Sequence, residues 1–149
     1  MNEHSFIKAF HKKLDPSIKI WKIYDPYQGG VPDALMFGSA GQMLFVEYKY
    51  VKALPKRSNT IVKPALSAQQ SDWLRDKAAR NIDVLVVLGT EDGVVLFHTP
   101  DAWDNGIPRS HAEVLTHKQA AETIANALRG ANGRAHTGVE VQSVSKNAV

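Results

Sequence analysis

A chain of 149 residues fits one domain and leaves little room for a second. Its 44% hydrophobic content supports a packed core and excludes a disordered polypeptide, and the absence of cysteine excludes disulfides and thiolate zinc sites. A net charge of +3 and a pI near 9.2 are mildly basic, a weak pointer toward nucleic acid. No apolar run is long enough to span a membrane. The opening MNEHSFIKAF lacks the basic-then-apolar layout of a secretory signal, so a soluble, cytoplasmic protein is the expectation.

Residues 3–14 predict an amphipathic helix, with Phe6, Ile7, Phe10 and Leu14 on one stripe and Asp15-Pro16 ending it. Residues 18–24 (IKIWKIY) read as a strand, followed by the punctuated loop PYQGGVP. Residues 33–37 predict a short second strand. A turn over 38–42 leads into a third strand at 43–49 (MLFVEYK), apolar on both faces apart from Glu47 and Lys49. A basic loop comes next, expected to be mobile around residues 55–59. A helix over 66–80, a buried strand over 82–88, the turn TEDG and a strand over 94–98 complete the core. The order strand–helix–strand makes the third and fourth strands parallel neighbours. Residues 117–129 predict a last helix, and residues 130–149 are expected to form a loose tail beyond a domain of residues 1–129.

Chemistry concentrates on the third strand. Strand alternation puts Glu47 and Lys49 on one face, where a buried carboxylate and ammonium need a partner or a purpose. The bland reading is that the two simply pair. Asp33, stiffened by Pro32, enters the preceding strand where a tight hairpin brings it beside Glu47. Two adjacent carboxylates repel unless a cation lies between them, and an oxygen-rich donor set suits Mg²⁺ or Mn²⁺. From Tyr48 to Ser71 no acidic residue occurs, while Lys49, Lys52, Lys56, Arg57 and Lys63 all fall in that stretch. Starting at the Glu47–Lys49 strand, this run favours a phosphate-binding surface over a merely solvated loop. The histidines lack the paired spacing of a zinc site. Asp101, Trp103 and Asp104 are expected to cap a local turn, and Trp21, Tyr24 and Tyr27 to pack in the core, base stacking being the rarer alternative.

Asp33 in VPD, Glu47-Tyr48-Lys49 in LFVEYK, and Ser67, Gln70, Trp73 and Leu74 downstream resemble the signature of the PD-(D/E)XK nucleases. Within them the chain is most similar to the VRR-NUC-type and related small phage enzymes, over residues 3–98. The resemblance implies a restriction-endonuclease-like α/β fold, an α-β-β-β-α-β core whose central mixed sheet is flanked by helices. It implies metal-dependent DNA phosphodiester hydrolysis, with Asp33, Glu47 and the Tyr48 carbonyl as Mg²⁺ or Mn²⁺ ligands and Lys49 as the catalytic lysine. Glu3 would complete the metal site or only complement its helix dipole. Gln70 would act at the site edge or only serve a capping box with Ser67, the two roles being shared between alternative side-chain states. Lys52, Lys56, Arg57 and Lys63 would hold the DNA backbone. Without a helix-turn-helix or zinc finger, structure-directed or weakly sequence-dependent cleavage is expected, by a chain that pairs as a homodimer and is phage-encoded. Two rivals stand beside this reading: a non-catalytic nucleic-acid-binding module on the same fold, and a different enzyme on a similar scaffold.

Overall fold

The computed structural model describes residues 1–129; the predicted tail and His136 lie outside them. Helix α1 (Glu3–His11) is opened by a reciprocal capping box, in which the Asn2 side chain accepts from Ser5 N–H and the Ser5 hydroxyl accepts from Asn2 N–H. It ends one turn earlier than the hydrophobic stripe predicts. Lys13 and Leu14 donate to Phe10 and His11, three residues back, so the chain tightens and leaves the helix while Leu14 stays buried.

Strands β1 (Lys19–Lys22), β2 (Ala34–Phe37) and β3 (Met43–Tyr50) form an antiparallel meander. β4 (Ile61–Val62) precedes helix α2 (Ala68–Ala79), which leads to β5 (Val84–Thr90), parallel to β3. The hairpin strand β6 (Gly93–Phe97) follows, then α3 (Pro100–Asn105), β7 (Ile107–Pro108) and α4 (His117–Ala127). The main sheet runs β1-β2-β3-β5-β6, which puts β3 at its centre, and β4 pairs with β7 in a separate two-stranded ribbon. The predicted element order and parallel crossover are therefore present: a central mixed sheet flanked by helices.

One face of the sheet packs Ala34, Met36, Val46, Tyr48 and Val87 against Phe6, Phe10 and Ile124 of α1 and α4. The other packs Val84, Val86, Leu88 and Phe97 against Leu74 of α2 and Trp103 of α3. Every residue of β5 is buried, as a covered parallel strand requires. Trp103 is a core residue and not a cap; the cap of α3 is Thr99. Asp104 bonds Ser71 and Arg75, tying α3 to α2, and Asp101 accepts from Asn105. Among the described residues no helix is long and apolar enough to cross a membrane.

Gly89 fixes how α1 meets the sheet. A Cβ there would stand 2.5 Å from the Phe6 ring, so glycine lets the helix approach β5 closely. Gly89→Ala is expected to destabilise the protein by about 1–3 kcal/mol in urea unfolding, overpacking outweighing the smaller entropic gain. An unchanged midpoint would show that α1 yields freely there.

The basic loop is anchored, contrary to its expected mobility. Leu54 is buried and its N–H donates to Asp92 at 2.9 Å, Ser58 accepts from Ser110, and Val62 is buried on β4. Apolar residues spaced through the basic run hold it down while its charges point outward.

Candidate active site

Three local features assemble the site. The β2–β3 register pairs Ala34 with Val46, so Asp33 stands one step beyond the last pair, opposite Glu47. There the two strands are joined through a side chain, since Asp33 Oδ2 accepts from Tyr48 N–H at 2.9 Å. A strand residue directs its N–H and C=O to the same edge, so the Tyr48 carbonyl faces the same fork. The Asp33 carbonyl meanwhile accepts from Ile23 N–H at 2.9 Å, fixing the residue from the β1 side.

Glu47 is 2% exposed on the α2 face of the sheet. Its Oε2 accepts from Gln70 Nε2 at 2.9 Å and lies 3.5 Å from Lys49 Nζ. Its Oε1 is buried with no hydrogen-bond partner. Burial, then the Asp33 charge, push the Glu47 carboxyl up from 4.5 to about 8, against the pull of Lys49. Asp33 is raised as well, chiefly by burial and against the Tyr48 amide and Lys49. An acid in this condition is stabilised by a cation at its unpartnered oxygen.

Gln70 makes the capping contact and a contact to Glu47 in a single conformation. Its Oε1 accepts from Ser67 N–H at 3.0 Å, completing the capping box of α2, while its Nε2 holds Glu47. The expectation of alternative states is corrected by the chemistry of the amide: acceptor and donor sit on opposite ends of one group. Glu3 lies on the rim and not on the buried stripe. It is exposed, yet its carboxyl is raised by burial and by Asp33 and lowered by Lys49, so it shares the site's electrostatic field. Among the described residues no three His, Asp or Glu side chains close into a metal-holding cluster. The oxygens that could hold a metal at the fork are the two carboxylates and, by strand geometry, the Tyr48 carbonyl, hard donors of the kind that suit Mg²⁺ or Mn²⁺. Lys52, Lys56, Arg57 and Lys63 are all exposed on the anchored loop that leaves the end of β3.

The chain is similar to a Holliday junction resolvase. That protein, Hjc of the archaeal hyperthermophile Archaeoglobus fulgidus, shares 15% identity with a TM-score of 0.49, the match covering 81% of this chain and 96% of that one. No protein-family model and no curated protein matches the sequence. The site's chemistry rests on its own geometry.

One feature beside Asp33 was not legible in the sequence. Behind Asp33 a cavity of about 500 Å³ opens between α1 and β1, lined by His4, Ile7, Lys8, His11, Lys22 and Asp33 among others. His11 Nε2 lies 2.7 Å from the Tyr48 hydroxyl, so Tyr48 is held through its ring as well as its backbone. Burial lowers the His11 pKa, with Lys22 adding to the effect, and burial raises that of Tyr48. Positions 4, 7, 8 and 11 follow a helical i, i+3, i+4, i+7 pattern. That spacing was the available signal, hidden by the stronger Phe6–Phe10 stripe beside it.

Proposed function

We propose that the chain is a divalent-metal-dependent endonuclease of the PD-(D/E)XK type that hydrolyses DNA. The observation that carries the reading is Glu47: a carboxylate buried at the centre of the sheet, with one oxygen unpartnered, facing Asp33 across the fork and Lys49 on its own strand. As a structural ion pair this arrangement is poor. The pair is long at 3.5 Å, and Asp33 adds repulsion that Lys49 alone must offset.

Asp33, Glu47 and the Tyr48 carbonyl would hold the ion. When bound, a Mg²⁺ or Mn²⁺ ion there supplies Lewis-acid polarisation of the phosphate and a water of lowered pKa. Lys49 places its ammonium beside the carboxylates, where it stabilises charge developing on the phosphoryl oxygens. Gln70 fixes the rotamer of Glu47, and Asp33 is aligned by the Tyr48 amide. The outward-facing Lys52, Lys56, Arg57 and Lys63 bind the DNA backbone, giving an affinity that falls with salt.

The test is incubation of supercoiled plasmid and of a synthetic four-way junction with Mg²⁺, Mn²⁺ or EDTA. Cutting in either metal and none in EDTA is expected. Binding without cutting in both metals would leave only the nucleic-acid-binding module. A paired substitution separates the two roles of α2. Ser67→Ala and Gln70→Ala each remove half of the capping box and should each cost about 1 kcal/mol in urea unfolding. Only Gln70→Ala releases Glu47 and should slow cleavage; equal rates for the two variants would reduce Gln70 to a cap.

A further inference from the structure

Contrary to the expectation from sequence, Trp21, Tyr24 and Tyr27 do not pack in the core. They are 59%, 87% and 96% exposed. Among the described residues none of the three rings meets another aromatic ring, whereas Trp73 nearby is covered by Phe45 and Lys77. Large exposed aromatics grouped within seven residues of chain are costly without a partner.

Their segment is fixed to the site. Trp21 pairs with Leu35, which pairs with Phe45, and so belongs to the sheet face that carries Glu47 and Lys49. The following loop docks on the first turn of α2. A Cβ on Gly29 would meet the Gln69 side chain at 2.3 Å, and one on Gly30, whose φ is +86°, would meet the Gln69 carbonyl at 2.5 Å. Gln69 adjoins Gln70, the residue that holds Glu47. At the other end Ile23 N–H bonds the Asp33 carbonyl. The loop is therefore braced between α2, whose Gln70 holds Glu47, and Asp33, with its tyrosines exposed to solvent.

The surrounding charge selects the partner. Lys19 shares the face of Trp21 on β1, whereas Lys22, paired with Ala34, points to the opposite face, where it lines the cavity under α1. Between Lys19 and Pro32 the single acid is Asp25, whose carboxylate is engaged by the Tyr27 and Gln28 amides at 2.9 and 3.2 Å. Lys19 and Lys49 on the Trp21 face, together with the open π-faces, match a polyanion that carries stacked rings, and any base offers such a face.

We propose that Trp21, Tyr24 and Tyr27 form a stacking platform for unpaired bases, so that the substrate is DNA opened to single strands beside the cleaved phosphate. This rests on the nuclease reading of the adjoining site and names its substrate class. Duplex DNA buries its base faces and gains nothing from the platform. A flap, fork or junction arm presents them.

The test is fluorescence anisotropy in EDTA, where cleavage plays no part. The probes are a labelled strand of about a dozen thymidines, an abasic strand of equal length, and a duplex. The parent is expected to bind the thymidine strand about tenfold or more tightly than the abasic one. Trp21→Ala/Tyr24→Ala/Tyr27→Ala should erase that difference while leaving the abasic and duplex affinities unchanged. Equal binding of the two strands by the parent, or a difference that survives the triple substitution, overturns the proposal. So does a parent that sediments as a dimer broken by Trp21→Ala, which would assign the patch to a second copy of the chain. Because the readout is binding, a chain that stacks bases but cuts nothing would sink the nuclease reading alone.

Discussion

Asp33→Ala and Lys49→Ala are each expected to lower metal-dependent DNA cleavage by about a hundredfold or more. The two losses have different causes. Losing Asp33 removes a ligand of the proposed metal site, together with the acceptor that aligns the Tyr48 amide at 2.9 Å. Losing Lys49 removes the cation that lies 3.5 Å from Glu47 and that lowers the pKa values of Asp33, Glu47 and Glu3 together. Metal affinity distinguishes the two variants. Lys49→Ala keeps both carboxylates and should still take up Mn²⁺, whereas Asp33→Ala should not. Rates within threefold of the parent for either variant would remove that residue from the chemistry.

The second large effect is on stability. Glu47 titrates near its ordinary 4.5 in the unfolded chain and at about 8 in the fold. Between those values the folded protein holds a proton that the unfolded chain has released. Raising the pH through that window therefore favours unfolding. In EDTA the protein should be most stable toward pH 5 and lose on the order of a few kcal/mol by about pH 8. Asp33 and Glu3, both raised, add losses of the same sign. Glu47→Gln replaces the titrating group with a neutral one of the same size. It should flatten most of this dependence and be the more stable protein at the alkaline end, while cutting no DNA. Urea unfolding across the pH range checks it; superimposed curves for parent and variant would show that Glu47 ionises without cost in the fold.

The sequence was informative wherever one residue pattern had one physical outcome. The unbroken apolar run of residues 84–88 requires a strand covered on both faces, and β5 is buried throughout. The E-x-K spacing on a strand requires a shared face, and Glu47 and Lys49 share it. The capping box at Ser67 is written in the sequence, but the second bond of Gln70, across the chain to Glu47, is not. The fates of the aromatics were illegible for a related reason. Trp103 and Trp21 are the same residue type, one fully buried beneath α2 and the other on an edge strand. Composition cannot say which strand is the edge; only the strand order does. The basic loop looked free because its anchors, Asp92 for Leu54 and Ser110 for Ser58, lie roughly forty to fifty residues further along the chain.

On the proposed reading, Asp33 and Glu47 hold a divalent cation between them. The most direct measurement is thermal melting at about pH 8, in EDTA and in millimolar Mn²⁺, of the parent and of Asp33→Ala. Mn²⁺ binding to the folded state alone should raise the parent's melting temperature by several degrees, since the ion takes the place of the Glu47 proton. The variant should show no such rise. Equal responses of the two proteins to Mn²⁺, or no response in the parent, would contradict the account.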